Sequence, residues 1–398
     1  MKEILDTSEL GKYQLVVCGG GVAGIAAAVS AKRAGLNKVL LIDKQVNLGG
    51  LATIGLISWF EPVCDGKGKL FAEGLAKELF DLAMNCGPNS LPEVWKSGTP
   101  TENDPRCSAF FSPTLFSIAL DCFLEKEGVE VLLDTVVVKP VMDNSSCNGI
   151  VVENKTGRGF YRADAIVDCT GDLDVFYRAG APCEEGQNYL TYIAYLTSRD
   201  TCDAGGKGDL LQSRKWVTAG SDLWGNGHPE GFPKLSCVTA EEVTTFVRAG
   251  RRLYMEKLNA GHECGQFDIS VLPSMPQLRT TRRLIGEYTL LETDEGKPFD
   301  DSIGRICDFV HRDKQYEIPF RCLYSRLYDN IFTAGRSISS AGWAWEVTRV
   351  IPAAVLTGQA AGVGAAIAVL TKMKAAELDV SQVQQELKAG GVKLHLKD

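Results

Sequence analysis

Histidine is scarce in this 398-residue chain. Only His228, His262, His311 and His395 occur, and no two share a His-x-x-x-His or other metal-ligand spacing. No metal site is therefore expected, and each histidine reads more simply as a loop or surface residue than as a catalyst. C-x-x-C is missing too. The thirteen cysteines, an odd number, are scattered singly. That pattern excludes a redox dithiol, a zinc ribbon and an iron–sulfur cluster, and a disulfide framework of the small secreted type does not fit so long a chain. Reduced thiols in the cytoplasm are expected. Basic runs are lacking, and the net charge of −8 with a pI near 5.3 speaks against nucleic acid or an anionic membrane surface as partner. Residues 1–12 contain no apolar core, so no signal peptide is expected. No G-x-S-x-G elbow suggests a hydrolase. One stretch, residues 353–370, is apolar enough to be mistaken for a bilayer span. It is mostly Ala and Gly, carries Gln359, and spaces Gly358 and Gly362 as G-x-x-x-G, which fits a tightly packed buried helix better than a lipid-facing one.

What is present begins at Leu15–Cys18, a short apolar run of the kind that forms a buried parallel strand. Gly19, Gly21 and Gly24 follow as G-x-G-x-x-G, where that strand should turn into a small-residue helix. Gly19 allows the tight turn, Gly21 lets a pyrophosphate approach the backbone, and Gly24 permits close packing of helix on strand. Val39–Ile42 reads as the second strand, and Asp43 stands at its end, 19 residues beyond Gly24, placed to accept from a ribose hydroxyl. The motif predicts a dinucleotide site without choosing between NAD(P) and FAD.

Downstream, residues 70–84 have the spacing of an amphipathic helix, interrupted by Gly74, within an excursion spanning 63–107. Ser112-Pro113 predicts a helix start, running to about Glu127 with Gly128 as its cap. Strands are expected over 129–133, 135–141, 149–153, 160–162 and 165–168. From 184 to 313 the βαβ rhythm stops and an inserted second domain is expected. Its clearest element is a helix over 240–258, with Thr239 and Glu242 spaced as a capping box. Residues 331–335 read as a strand returning to the first sheet. No second G-x-G-x-x-G follows a strand, so a separate NAD(P) domain is not expected.

Three separated stretches coincide: Gly19–Gly24 with Asp43-Lys44 and Gly49-Gly50; Val167-Asp-Cys-Thr170-Gly171-Asp172; and Asn330-Ile-Phe-Thr-Ala-Gly335-Arg336, followed by Arg349-Val-Ile-Pro352 and Gly358-Gln-Ala-Ala-Gly362. Together they resemble the FAD-dependent oxidoreductase family within the glutathione-reductase-like flavoproteins. Residues 278–288 and 316–319 look like further stretches of that family. The resemblance implies an α/β fold: a glutathione-reductase-like, doubly wound FAD-binding domain from 1–62, 108–183 and 314–398, with an inserted α+β substrate (cap) domain at 184–313. It implies FAD as cofactor. Gly19, Gly21 and Gly24 would face the pyrophosphate, Asp43 the adenosine ribose, Lys44 the adenosine end, and a Val137 backbone group the adenine. Gly49 and Gly50 would pass close to the ribityl and flavin, and Thr170, Gly171 and Asp172 near the diphosphate. Gly335 and Arg336 would contact the ribityl-diphosphate, although many relatives in the wider class place an acid where Arg336 stands. Val350 and Ile351 would present N–H groups to the flavin pyrimidine edge, where a helix N-terminus stabilises an anionic reduced flavin.

For the chemistry, Arg282 and Arg283 look like family positions suited to clamping a carboxylate or phosphate, with structural ion pairs as an equal alternative and Arg282 the candidate carried forward. Trp343, Trp345, Glu346 and Arg349 fall where a loop should border the flavin. Glu346 is a candidate general base, weighed against a plain ion pair with Arg349. The expectation is an FAD-dependent oxidoreductase moving a hydride between flavin N5 and a small organic substrate. A flavin-dependent monooxygenase and a non-catalytic flavin- or NAD-binding redox sensor stay open, as do oxygen, a quinone or an electron-transfer partner protein as acceptor.

Overall fold

The computed structural model describes residues 7–65, 67–98, 101, 108–259, 267–311 and 313–398. The chain proceeds through β1 (Ser8–Cys18), α1 (Val22–Arg33) and β2 (Val39–Ile42), then α2 (Leu75–Asn85), α3 (Pro113–Lys126) and β3 (Glu130–Leu132). A meander of β4 (Val136–Asp143), β5 (Ser146–Asn154) and β6 (Gly157–Asp168) follows. The next region contributes β7 (Thr191–Ser198), β8 (Lys215–Gly220), α4 (Ala240–Asn259) and β9 (Phe267–Val271). Last come β10 (Ile331–Thr333), α5 (Trp343–Thr348) and α6 (Ile351–Thr371).

The main sheet has seven strands in the order β3-β2-β1-β6-β5-β4, with β10 also paired to β6. Pairs among β1, β2, β3, β6 and β10 are parallel, whereas β4, β5 and β6 run antiparallel. The fold is α/β with a mixed sheet. Strand β6 is long enough to divide one edge between two partners. Its first half pairs with β5, and Ile166–Asp168 pair with β10. Cys18 of β1 and Thr333 of β10 both register with Asp168. Three segments distant in sequence therefore end side by side. The chain winds outward from β1 to β2 and β3, then restarts on the other flank at β6, and such a switch point opens a crevice at the strand tips.

Helix α1 is buried from Val22 to Ala31, on every side. It fills the space between the sheet and α6, so an all-round small, apolar composition is what that position requires. The Gly358 and Gly362 spacing is explained here. A Cβ at either would lie 2.1 Å from the backbone oxygen of Ala23 or Ala27 on α1. Helix α6 is long and apolar enough to cross a bilayer, but 89% of its apolar window is buried inside the protein.

Local expectations hold with adjustments. The helix expected over 70–84 starts only at Leu75, because Gly74 adopts φ +54° and packs against Val392 and Gln359. Ser112 precedes α3 with Pro113 in its first turn, yet its side chain makes no capping bond. The 160–162 and 165–168 runs are one continuous strand. Only half of the capping box on α4 forms. The Glu242 N–H donates to Thr239 Oγ1 at 3.2 Å, while the Glu242 carboxylate turns to Ser236 and the Cys237 N–H. Strands β8-β7-β9 form a separate antiparallel sheet, packed against α4 through Tyr192, Tyr254 and Leu258. Cys18, Cys86, Cys122, Cys147, Cys169, Cys183, Cys202, Cys237 and Cys322 are free thiols.

Candidate functional site

The tips of β1, β6 and β10 open onto a cleft of about 320 Å³. Gly19 and Gly21 form its floor. Gly19 adopts φ +112°, and a Cβ there would lie 2.2 Å from the Cys169 carbonyl oxygen, so only glycine lets the β1 turn pass under β6. Gly21 is the opposite case, since a Cβ there meets nothing within 4 Å and would project into open space. Asp43 caps β2 and locks this turn, accepting from the Gly20 N–H at 2.5 Å and the Gln45 N–H at 2.6 Å. Burial raises its pKa against the pull of those two bonds.

Two helix N-termini face the cleft. Helix α1 has Gly21 as N-cap and α6 has Val350; neither has a side-chain cap or an acid in its first turn. Their first N–H groups are left for an external acceptor, and both helix dipoles present positive ends.

Arg336 closes the upper edge. Its Nε donates to the Gly171 carbonyl at 2.6 Å, Nη1 to the Leu278 carbonyl at 2.9 Å, and Nη2 to Asp172 Oδ1 at 2.6 Å. Asp172 also accepts from Thr281 Oγ1 at 2.8 Å. Burial alone would raise the Asp172 pKa, but the Arg336 charge and the Thr281 bond outweigh it and hold the carboxyl below its ordinary value. Beneath this edge, Asp168 is fully buried. It accepts from Thr170 through Oδ1 and from the Val175 and Phe176 N–H groups through Oδ2. Burial pushes its pKa up to about 6.

Of the expected residues, Gly19, Gly21, Asp43, Lys44, Gly49, Gly50, Thr170, Gly171, Asp172, Gly335, Arg336, Ile351 and Arg349 line this single cleft. Five do not. Gly24 lies beneath the turn, where a Cβ would come 1.8 Å from the Gly19 oxygen, so its role is packing. Val137 sits in β4 opposite Val152, and its carbonyl is taken by Arg178 Nη1 at 2.5 Å. Val350 opens onto a separate small hollow beside Pro62 and Arg305. Glu346 is ion-paired to Arg349, with Nε–Oε2 at 2.7 Å, and its side chain does not line the cleft. Arg282 is 6% exposed and bonded to the Val238 carbonyl, with Asp174 at 3.5 Å and the Tyr177 ring beneath it. Arg283 pairs with Glu184. The arginine clamp expected at 282–283 is thus a structural one.

On the opposite wall, Val243 belongs to the helix over 240–258 and Leu278 opens the 278–288 stretch, while the other lining residues fall outside the sequence motifs. Cys237, Val243, Met275, Pro276 and Leu278 of the 184–313 region line it, together with Ile54. The Ser274 N–H donates to the Ile54 carbonyl at 2.9 Å, and Gln277 Nε2 to the Gly55 carbonyl at 2.7 Å. These bonds pin that region over the glycine-rich segment. His228 is fixed in a loop between the Leu190 N–H and the Phe232 carbonyl, His395 bonds Glu317, and His311 is an exposed residue beside Trp343. His262 lies outside the described residues. No cluster of metal-ligating side chains occurs among the described residues.

The family model for FAD-dependent oxidoreductases matches residues 14–194 and 206–387. Among solved structures, p-nitrophenol 4-monooxygenase from Pseudomonas putida is similar in fold, with a TM-score of 0.50 at 12% identity over 95% of this chain and 84% of that one. A geranylgeranyl bacteriochlorophyll reductase-like protein from Thermoplasma acidophilum gives 0.45 at 12% identity, over 95% and 83%. A 3-ketosteroid dehydrogenase from Rhodococcus jostii gives 0.40 at 15%, over 90% and 98%.

Proposed function

Because this chain belongs to the FAD-dependent oxidoreductase family and takes FAD as its cofactor, we propose that it oxidises or reduces a small organic substrate held between the strand tips and a cap formed by residues 184–313. The supporting observation is the shared register of Cys18 and Thr333 on Asp168, which gathers three glycine-bearing turns and two uncapped helix N-termini around one cleft.

The residues present fit the cofactor. Gly21 offers open space rather than a side chain, and free N–H groups of α1 follow it, as a pyrophosphate requires. The outer lone pairs of Asp43 remain for ribose hydroxyls and Lys44 flanks the adenosine end. Gly49 and Gly50 would border the ribityl, with Thr170, Gly171 and Gly335 near the diphosphate, since all five line the cleft. Arg336 orders these turns through its three protein bonds and lines the same space. Ile351 opens α6 at the cleft, so the positive end of that helix would favour electron-rich forms of a flavin held there. FAD, when bound, supplies the hydride chemistry through its N5. Arg349 is the one charged candidate of the substrate side that reaches the cleft, and Glu346 holds it in place. The free thiols accord with a reducing compartment, which we take to be the cytoplasm.

Anaerobic titration of the purified, FAD-loaded protein with pools of small metabolites tests this reading. Loss of the oxidised-flavin band at a catalytically useful rate is the expected result. A protein that takes up no flavin ends the assignment. A flavin that binds but is reduced by nothing points to a sensor, and NAD(P)H-driven oxygen consumption with hydroxylated product points to a monooxygenase.

A further inference from the structure

A second cavity, of about 440 Å³, shares no lining residue with the flavin cleft. Its aromatic wall is assembled from two regions of the chain. Tyr195 of β7 and Trp216 of β8 stand directly opposite one another in the antiparallel register, so their side chains emerge on one face of that sheet. Phe110 comes from the segment before α3, where it pairs with Trp59 and stacks on that ring at 5.4 Å and 8°. The Trp216 ring stands edge-on to Phe110 at 5.4 Å and 67°. Tyr195 is fixed in turn, because its hydroxyl lies 2.5 Å from Ser58 Oγ. The wall is thus built before any ligand arrives, and its volume falls in the range of small-molecule sites.

Three charged side chains border the same space: Asp200, Arg214 and Lys215. None of them forms an ion pair among the described residues. Arg214 precedes Trp216 by two residues, so strand alternation turns it to the same face. There its Cζ lies 4.5 Å from the centre of the Tyr195 ring. The side chain is half-buried and makes no hydrogen bond to the described residues. Stacking on Tyr195 holds the planar fork in place and leaves its N–H donors for an external acceptor. Asp209, the acid nearest to Arg214 in sequence, does not line the cavity and is bonded within its own turn, to the Leu211 N–H at 3.1 Å and Gln212 Nε2 at 2.9 Å. The lining itself sets two cations against one acid.

We propose that this cavity binds a small aromatic monocarboxylate, its ring against Phe110 and Trp216 and its carboxylate on the fork of Arg214. Aromatic faces alone would take neutral arenes equally well. An unshared guanidinium fixed beside them favours the anion, since its parallel N–H groups match the two carboxylate oxygens. Asp200 borders the same space and acts against that anion.

The probe is 2-naphthoate, with 2-naphthalenemethanol as its neutral counterpart. Each is titrated into the FAD-loaded protein, and binding is read by calorimetry and by quenching of tryptophan fluorescence. Naphthoate is expected to bind saturably, and the alcohol at least about tenfold more weakly, as the loss of one charge-assisted hydrogen bond implies. Arg214→Gln should abolish that preference and leave the alcohol unchanged, whereas Asp200→Asn should tighten the acid. The absorbance of the bound flavin should stay constant at saturation, because the cleft lies elsewhere. Equal affinities of acid and alcohol overturn the proposal, as does the absence of saturable naphthoate binding. So do an affinity that Arg214→Gln leaves unaltered, weaker acid binding in Asp200→Asn, and saturable binding that perturbs the flavin instead. The acid–alcohol contrast needs no variant, so a misfolded Arg214→Gln does not spare the proposal. No arm depends on hydride transfer, and each of these failures leaves the flavin reading standing.

Discussion

Arg336 Nη2 and Asp172 Oδ1 lie 2.6 Å apart, and this contact joins the tip of β6 to the tip of β10. A third segment is held by the same guanidinium through the Leu278 carbonyl. Removing Arg336 leaves Asp172 as an uncompensated, largely enclosed carboxylate. Arg336→Gln should therefore cost about 3 kcal/mol, the lower end for a broken buried pair, since the Asp172 side chain keeps 27% exposure. The sign of the pH dependence follows from the lowered Asp172 pKa. This carboxylate contributes stability above its unfolded value near 4, and loses it as pH falls through its lower folded value. Denaturant titration at pH 7 and at acidic pH checks both: the gap between wild type and Arg336→Gln should narrow on acidification. A constant gap would remove the ion pair from the account.

Asp168 behaves in the opposite sense. Its folded pKa is raised to about 6 by burial, so its contribution is present in full below about pH 4 and is lost as pH rises through 6. A shift of about two units corresponds to roughly 3 kcal/mol. In Asp168→Asn the titration is gone and an amide NH2 faces donors from Thr170 or from Val175 and Phe176. That variant should be less stable than wild type throughout, with the difference largest near pH 4 and smallest above pH 7. Chemical denaturation of the two proteins across that range measures the difference directly.

Gly21 and Gly24 separate cofactor binding from folding. A side chain at Gly21 enters open cleft, whereas a Cβ at Gly24 comes 1.8 Å from the Gly19 oxygen. Gly21→Leu should keep the wild-type melting behaviour of the apoprotein and lose the yellow colour. Gly24→Ala should lose about 3 kcal/mol, at the upper end for overpacking. Thermal melts and flavin absorbance after reconstitution distinguish the two, and a Gly21→Leu protein that stays yellow would refute the placement of the turn.

How far the sequence could be read depended on whether the partners of each residue are local. The turn from Gly19 to Gly24 and the acid at Asp43 are written within thirty residues, because strand, turn and helix constrain one another at short range. Helix α6 was legible from composition, since only small residues allow it to lie on α1. Which of the two readings of Arg282 holds is not legible in the sequence, because its acids, Asp174 and Glu185, arrive from about a hundred residues away. Of the far wall, only Val243 falls in an element legible beforehand, the helix over 240–258; Cys237, Met275 and Pro276 have no periodic or glycine signal. Its residues are ordinary apolar side chains placed by the Gln277–Gly55 and Ser274–Ile54 bonds.

Arg349 and Arg282 make the last contrast, because both were candidates for substrate contact and only one reaches the cleft. Arg282 is 6% exposed and held by a backbone carbonyl, two acids and an aromatic face. Its replacement by Ala leaves Asp174 and Glu185 facing an emptied position and should cost about 3 kcal/mol, with kcat little changed in the protein that still folds. Arg349 is half-buried, bonded to Glu346 alone, and sits one residue before the N-cap of α6. Arg349→Ala should cost no more than about 1 kcal/mol, yet slow anaerobic flavin reduction by about tenfold or more through lost positioning at the ring. Restoring charge with Arg349→Lys should recover part of that rate, because a point charge survives even though the fork geometry is lost. If Arg282→Ala slows reduction while Arg349→Ala merely destabilises, the two roles are reversed and the substrate lies on the side of the strand holding Arg282.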